Sequence, residues 1–252
     1  MPFLIAAGHR LEYERFPGKP GAPTLILLHE GLGSVALWRD FPAKLAQATG
    51  RPLVVYSRYG YGRSDPIAAP HGPRYMHDEA LVALPELRQA LGLDDVVLVG
   101  HSDGASIALI HAGSGRFPVR ALIAEAPHVF VEEVSLKSIA EARTLYEAGE
   151  LRQRLARYHA DVDSAFRGWN GAWLDPAFRD WTIAEYLPGV TCPVLAIQGD
   201  GDEYGTLDQI AAIERGVKGP FAKLVLRHCR HSPHRDQEAA VLEAMAEFIE
   251  RV

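Results

Sequence analysis

The 252-residue sequence predicts an α/β fold, in which a mostly parallel, eight-stranded sheet carries helices on both faces and a helical cap insertion. Short apolar runs alternate with helical patterns along most of the chain. Within each run, successive residues are apolar, as expected of strands that are buried on both faces. The chain is also long enough to bury an extensive core.

The individual elements follow in chain order. Residues 3–7 and 11–16 flank a glycine-containing turn, and this pattern predicts an N-terminal hairpin. The strands predicted after it are 24–29, 53–58, 96–100, 119–127, 193–200 and 222–228. The helices that alternate with them are predicted near 38–48, 77–91, 102–111, 207–215 and 238–252.

Residues 129–188 interrupt this alternation and contain no convincing strand pattern. The stretch has a helical period and one charged face, and three glycines and a proline break it. We expect a helical lid over the carboxyl ends of the strands, where open parallel sheets bind their ligands. The predicted division is a core of residues 1–128 and 189–252 and a lid of residues 129–188.

Composition excludes several classes of function. Charged residues make up 23% of the chain and the formal net charge is -6, so no basic surface is expected for nucleic acid or anionic lipid. No stretch approaches the roughly 20 apolar residues of a membrane helix, and the start lacks the features of a secretory leader. No metal-ligand spacing occurs. We expect a cytoplasmic protein with a small-molecule substrate, no nucleic-acid or membrane partner, and a homodimer as the candidate assembly.

The segment VVLVGHSDGAS, residues 96–106, carries the first chemical signal. An apolar strand runs directly into Ser102, which Gly100 and Gly104 flank, and a helical pattern follows. This context is typical of a tight turn that forces a nucleophilic serine out at the top of a sheet. The hydroxyl needs a base to take its proton, and the base needs an acid to orient it. The later loops 199–202 and 229–236 supply candidates for both.

These motifs together resemble the α/β-hydrolase superfamily, in the capped branch that contains serine esterases and carbon-carbon bond hydrolases. The resemblance rests on HEGLGS, SRYGYGRSDP, GHSDGAS, QGDGDEYG and HSPHRDQEA, and it covers nearly the whole chain. It carries least information in the lid, where specificity is set. The resemblance implies an acyl-enzyme on Ser102 and no cofactor.

The base is assigned from the turn that follows the last strand. Members of the superfamily carry the catalytic histidine in a G-H-x-P-like turn, which His231 matches if Arg230 replaces the glycine. An arginine resists backbone angles that a glycine allows, so this replacement is a departure from the pattern. His234, at the start of the final helix, is the alternative, and His228 at the strand end is less favoured.

The acid is assigned from the loop after the strand at 193–200. Superfamily members usually place it three residues after the loop glycine, which selects Asp202 over Asp200. Its role would be to hold the imidazole in the productive tautomer and to stabilise the imidazolium. Glu125 is the next candidate, because some capped members take the acid from the strand that it ends.

The oxyanion hole is expected to consist of two backbone N–H groups, those of Asp103 and Gly31. Glu30 stands in the HEGLGS loop where the superfamily commonly has glycine. A carboxylate there lies close to a site that must hold negative charge. We therefore expect Glu30 to turn away, or to bond a neighbour such as Ser34 or the turn at 59–61.

Three aromatic residues of the lid are candidate substrate contacts. Trp169 and Trp173 are four residues apart and so lie on one face of a predicted helix, and Phe130 precedes that region. Packing of the lid against the core explains the tryptophan pair equally well. His111 and His159 are interpreted as surface residues.

The sequence favours a serine hydrolase that acts on carboxylic esters of small to medium size. The alternative reaction is cleavage of carbon-carbon bonds in vinylogous diketones, which needs cationic groups to hold a dienolate and a carboxylate. Near the motif loops the evident arginines are Arg58, Arg63 and Arg230, among several acidic residues. A lyase of the same fold and a non-catalytic small-molecule receptor are further alternatives.

Overall fold

One sheet of eight strands organises the computed structural model, which describes residues 2–68 and 71–252. The strands are β1 (Phe3–Ala6), β2 (His9–Phe16), β3 (Thr24–Leu28), β4 (Leu53–Tyr56), β5 (Val96–His101), β6 (Ala121–Glu125), β7 (Val194–Gly199) and β8 (Phe221–Leu226). Their spatial order is β1-β2-β4-β3-β5-β6-β7-β8. The pairs β1–β2 and β2–β4 are antiparallel and all later pairs are parallel. The predicted hairpin and the predicted mostly parallel sheet are thereby confirmed.

Helices cover the sheet on both sides. They are α1 (Phe41–Thr49), α2 (Tyr75–Asp78), α3 (Leu84–Leu91), α4 (Asp103–Gly113), α5 (Glu133–Glu147), α6 (Glu150–Leu155), α7 (Val162–Trp173), α8 (Asp208–Gly216), α9 (Pro233–Asp236) and α10 (Glu238–Glu250). A π-helical turn, Glu79–Ala83, joins α2 to α3. Within the described residues, none of these helices combines the length and the apolar character that crossing a membrane requires.

Two hydrophobic clusters, one on each face of the sheet, explain the near-continuous apolar runs. In β3, Ile26 and Leu28 join a cluster with residues of α3 and α4, whereas Leu25 and Leu27 join a second cluster with residues of α1 and α10. Successive side chains of a strand point to opposite faces, so a strand that is covered on both sides must be apolar at every position. These four side chains are fully buried.

The segment between β6 and β7 contains α5, α6 and α7 and two 3₁₀ turns, Pro176–Phe178 and Ala184–Gly189. An isolated bridge between Phe130 and Thr182 joins its two ends. The Asp161 carboxylate begins α7 by accepting the Ser164 N–H at 2.8 Å, a side-chain cap. This β6–β7 insertion, residues 129–188, packs its apolar side on the carboxyl ends of the strands.

Candidate active site

Ser102 occupies a strained turn between β5 and α4. Its backbone has φ 55° and ψ -118°, a conformation that costs a non-glycine residue about 1–3 kcal/mol. A Cβ on Gly104 would lie 2.0 Å from the carbonyl oxygen of Leu28, and one on Gly100 would lie 2.3 Å from that of Gly104. Both flanking positions therefore need glycine, because neighbouring backbone approaches too closely for any side chain.

The side chains of Ser102, His231 and Asp202 form a continuous hydrogen-bonded chain. His231 Nε2 lies 2.9 Å from Ser102 Oγ, and His231 Nδ1 lies 2.7 Å from Asp202 Oδ1. The Asp202 side chain is only 1% exposed and also accepts the N–H of Tyr204 at 2.8 Å. Burial alone would raise the pKa of Asp202, but the charge and hydrogen bond of His231 lower it below its ordinary value. The acid is therefore ionised beside the base.

The rival candidates are engaged elsewhere. Glu125 is fully buried and accepts the backbone N–H of His234 at 2.6 Å, with its Oε1 2.9 Å from Nδ1 of the same residue. Asp200 accepts the N–H of His228 at 2.7 Å and so shapes the loop before the base. The left-handed residue of that loop is His228, with φ 56°, and not Arg230. An arginine in place of the glycine is thus compatible with the turn.

The first candidate oxyanion donor is the N–H of Gly31. Its direction is set by the carbonyl of Glu30, which belongs to the same peptide group. The Glu30 carbonyl accepts from Arg58 Nη2 at 2.8 Å and from the Gly33 N–H at 3.0 Å. Because the peptide is planar and trans, the N–H of Gly31 points the opposite way. In the described part of the chain this N–H has no protein acceptor, and Gly31 lines the cavity.

The second donor, the N–H of Asp103, is oriented in the same manner. The Ser102 carbonyl accepts the N–H groups of Ala105 at 2.9 Å and Ser106 at 3.1 Å. Asp103 begins α4, and the first N–H groups of a helix have no partner within it. Two backbone N–H groups, one from each of two loops, thus flank Ser102 as candidate oxyanion donors.

Glu30 does not turn away from the site, and the neighbour that it contacts is His101 and not Ser34 or the turn at 59–61. Its side chain lines the cavity, and Oε2 lies 3.6 Å from Nδ1 of His101. Burial opposes ionisation of Glu30, yet the neighbouring His101, with smaller effects of His29 and His234, holds its pKa well below the usual range. Of the two expected outcomes, contact with a neighbour is the one observed, and that neighbour is His101, the residue before Ser102.

His101 also contacts the loop of the base. Its Nε2–H donates to the carbonyl oxygen of His231 at 2.7 Å. Burial would lower the pKa of His101, but the carboxylates of Glu30 and Glu125 raise it to about 9. His101 is thus a buried cation that links the oxyanion loop to the histidine loop. The sequence analysis did not single it out, because the residue before the nucleophile is variable in the motif.

A cavity of about 160 Å³ opens in front of Ser102. It is lined by Glu30, Gly31, Leu32, His101, Ser102, Asp103, His128, Ile139, Trp169, Trp173, Tyr204, His231 and Ser232. Both tryptophans are therefore in the wall. Phe130 is not, because its bridge to Thr182 and the hydrogen bonds of its backbone to Gln209 place it at the foot of the insertion.

Several buried polar residues near the site were not anticipated. The Asp103 carboxylate accepts from Tyr75 Oη at 2.6 Å and from Trp173 Nε1 at 3.3 Å, and Arg58 lies 3.6 Å away. His128 lines the cavity as a neutral ring, since burial and then the nearby His231 lower its pKa to about 3. Asp103 and Arg58 lie in motifs quoted above, whereas Tyr75 and His128 lie outside them.

The interpretation of His111 and His159 as surface residues was wrong, since both are buried. His159 accepts the N–H of Gly62 at 3.0 Å and donates to the carbonyl oxygen of Leu32 at 2.9 Å. It therefore ties the β6–β7 insertion to the oxyanion loop. His111 stacks on Phe117 inside the core. A helical period in the sequence does not show that His111 or His159 is buried.

The chain is similar to known hydrolases over nearly its whole length. Residues 23–167 match the family model of the alpha/beta hydrolase fold. A proline iminopeptidase of Saccharolobus solfataricus is 25% identical, with 97% of this chain and 90% of that protein aligned. The enol-lactonase from Burkholderia xenovorans LB400 is 18% identical with a TM-score of 0.76, over 99% of this chain and 100% of that one.

A further solved structure, the meta-cleavage product hydrolase from Pseudomonas fluorescens IP01 complexed with acetates, has a TM-score of 0.78. It is 17% identical, and the match covers 100% of this chain and 98% of that one. Both structural similarities concern the fold. With the family model spanning more than half of the sequence, the protein belongs to the α/β-hydrolase family.

Proposed function

We propose that this protein is a serine hydrolase that cleaves carboxylic esters of small to medium size through an acyl-enzyme. The observation that carries the proposal is the hydrogen-bonded chain from Asp202 through His231 to Ser102. This chain of hydrogen bonds ends at a cavity where, among the described residues, no protein group accepts the N–H of Gly31 or Asp103. A nucleophile, a base, an acid and an anion hole are the groups that acyl transfer requires.

In the proposed reaction, Ser102 Oγ attacks the ester carbonyl carbon while His231 Nε2 takes the hydroxyl proton. The carbonyl oxygen becomes an oxyanion that accepts from Gly31 and Asp103. The intermediate collapses when the bond to the alcohol oxygen breaks, and His231 returns the proton to that oxygen. Water then attacks the acyl-enzyme with His231 again as base, which releases the acid and restores Ser102. No cofactor takes part.

The charge of the cavity favours neutral acyl groups over dianionic dienols. None of the described residues in its wall is an arginine or a lysine, and the cationic His101 in the wall already faces the Glu30 carboxylate at 3.6 Å. Arg58 is buried against the Glu30 carbonyl and Asp103, and Arg230 pairs with Glu203 at the surface. A carbon-carbon bond hydrolase would need a cation at the substrate. Esters are therefore the better proposal, with residues 129–188 acting as a lid over a small-molecule substrate.

A second candidate activity is release of an N-terminal residue from a peptide or arylamide. The observation in its favour is the Glu30 carboxylate in the cavity wall, which could accept from a substrate ammonium group. The similarity to a proline iminopeptidase also supports this second candidate activity. Acyl transfer from an amide uses the same serine, base and anion hole.

The test is labelling with a fluorophosphonate followed by peptide mapping, together with initial rates on three substrates. These are a short-chain aryl ester, a prolyl arylamide and a ring-fission dienol. We expect one label per chain on Ser102, preference for the ester in kcat/KM, and no turnover by Ser102→Ala. A preference for the arylamide or the dienol would replace the ester assignment. Binding without turnover of any of them would favour a receptor.

A further inference from the structure

We propose that the two tryptophans of α7 are positioning residues for the oxyanion hole, so that the docked β6–β7 insertion takes part in stabilising the transition state. This inference rests on the proposed acyl transfer at Ser102. Trp169 contacts the residue that supplies one backbone donor, and Trp173 is bonded to the residue that supplies the other. A single helix thereby sets the positions of two donors that lie on separate loops.

Trp169 packs directly against Gly31. A Cβ built on Gly31 would lie 2.1 Å from Trp169 Nε1 and 2.3 Å from Cδ1, so the edge of the indole covers the Cα of this glycine. Trp169 is buried, and its ring cannot withdraw without opening the wall of the cavity. Arg58 and Gly33 hold the Glu30 carbonyl on the other side of the same peptide. The peptide that carries the Gly31 N–H is thus held from both sides.

Trp173 is bonded to the side chain of Asp103. Its Nε1–H lies 3.3 Å from Asp103 Oδ1 and 3.0 Å from Tyr75 Oη, and Tyr75 in turn donates to Asp103 Oδ2 at 2.6 Å. Trp173 is 1% exposed, so these bonds are shielded from bulk solvent. Since the carboxylate is anchored through both oxygens, the backbone of Asp103 cannot rotate its N–H away from the cavity.

The four-residue spacing of Trp169 and Trp173 lets one helix contact both loops. Residues four apart project from one face of a helix, so Trp169 and Trp173 reach the loop after β3 and the elbow after β5 together. None of the hydrogen bonds that join Ser102, His231 and Asp202 involves α7. Displacing α7 should therefore weaken oxyanion binding and leave the nucleophile and its base in place.

The experiment compares Trp173→Phe with Trp181→Phe. The first variant keeps an aromatic ring but loses the N–H that bonds Asp103 and Tyr75. Trp181 is also buried, at 8% exposure, and stacks on Phe178. Among the described residues its Nε1 has no hydrogen-bond partner, so its replacement removes no hydrogen bond. Tyr75→Phe provides a second variant, because it breaks the same network from the core side.

We expect Trp173→Phe to lower kcat on a short aryl ester by up to about 100-fold, the scale of loss from a misplaced catalytic group. KM and the pH profile set by His231 should stay close to wild type. Affinity for an aryl boronic acid, which forms a tetrahedral adduct on Ser102, should fall in parallel with kcat. Tyr75→Phe should show the same pattern, and Trp181→Phe should retain the wild-type values.

Equal kcat and boronate affinity in wild type, Trp173→Phe and Tyr75→Phe would overturn the inference while the proposed hydrolase function stands. A change confined to KM would also overturn it, since the tryptophans would then be part of the substrate pocket alone. Absence of any Ser102-dependent turnover in the wild type is a different result, which would remove the proposed function and this inference with it.

Discussion

At the scale of single residues, the candidate site depends on a few side chains in costly environments. Ser102 has a left-handed backbone, and Glu125, Asp103 and His101 are buried ionisable groups, each with a specific partner. An unpaired buried charge would be strongly destabilising, so each of these groups constrains the position of its neighbour. Strain and burial of this kind concentrate where chemistry needs exact placement.

Replacing Ser102 should reveal the strain of the elbow. Ser102→Gly and Ser102→Ala both lose the hydroxyl, but only alanine keeps a Cβ at φ 55°. We expect both to be inactive, and the glycine variant to be more stable than the alanine variant by about 1 kcal/mol. Urea unfolding of the two proteins measures the difference. Equal stabilities would mean that the turn stores no strain.

Exchanging the acids should separate Asp202 from Glu125. Asp202→Asn can present an amide N–H to His231 and favour the wrong tautomer, an effect of about 10⁴ in kcat in the well-studied serine proteases. Glu125→Gln should retain most of the turnover, because its partner is His234. Steady-state rates on one aryl ester decide this. If Glu125→Gln is the inactive variant, the catalytic acid is Glu125, at the end of β6, and not Asp202.

The pKa of His101 predicts a pH dependence of stability. Because Glu30 and Glu125 raise it from 6.5 to about 9 in the folded protein, its contribution is complete below pH 6.5 and is lost as the pH rises through 9. The free energy of unfolding should therefore decline over this range. His101→Gln, which cannot ionise, should flatten the decline in urea titrations at a series of pH values. If the free energy of unfolding of His101→Gln declines with pH as steeply as that of the wild type, other groups cause the decline.

At the scale of elements, the loops after β3 and β5 depend on α7 for their positions. The close contact between Gly31 and Trp169 leaves no room for a side chain at residue 31. His159, which comes just before α7, adds a hydrogen bond from the insertion to the carbonyl of Leu32. The insertion and the oxyanion loop therefore form one packed unit.

Two glycine substitutions test this unit. Gly31→Ala should displace α7 and lower both stability and kcat, because its Cβ would overlap the indole of Trp169. Gly171→Ala, within α7 itself, has open space around its Cβ and should stabilise the helix by about 0.5–1 kcal/mol. Thermal unfolding and ester turnover of the two variants provide the comparison. Wild-type activity of Gly31→Ala would show that the loop moves independently of the helix.

At the scale of the whole molecule, charge bears on the choice of substrate. The chain has a formal net charge of -6, and the wall of the cavity includes Glu30. A negative potential in a cleft lowers the local concentration of anionic ligands and raises that of cations. Neutral and cationic substrates should therefore be preferred.

A matched pair of esters tests the effect of charge. We expect a neutral aryl ester to have a higher kcat/KM than an ester of similar size with a carboxylate on its acyl chain. Salt should narrow the gap, because it screens the potential. Glu30→Gln should narrow the difference in kcat/KM further. The same variant should also change kcat/KM for an ester that carries an ammonium group. A preference for the anionic ester would contradict this account of the cavity.

The architecture could be predicted from local patterns. The alternation of apolar runs and helical periods indicated the parallel sheet, and the glycine-rich turns indicated the loops at the carboxyl ends of its strands. These signals are local because strand and helix periodicity arise within a few residues. Ser102, Asp202 and His231 could be proposed from the motifs that resemble the α/β-hydrolase superfamily, although the hydrogen-bond distances that join them could not.

The tertiary structure alone decided how the surroundings of these residues are arranged. It pairs Glu125 with His234, brings Glu30 to His101, places Trp169 on Gly31, and leaves Phe130 outside the cavity. Each contact joins side chains from different elements, and its partner is selected by packing density and by the need to satisfy buried charge. Such selection leaves no period or spacing in the chain, because it depends on which surfaces meet after the strands and helices have formed.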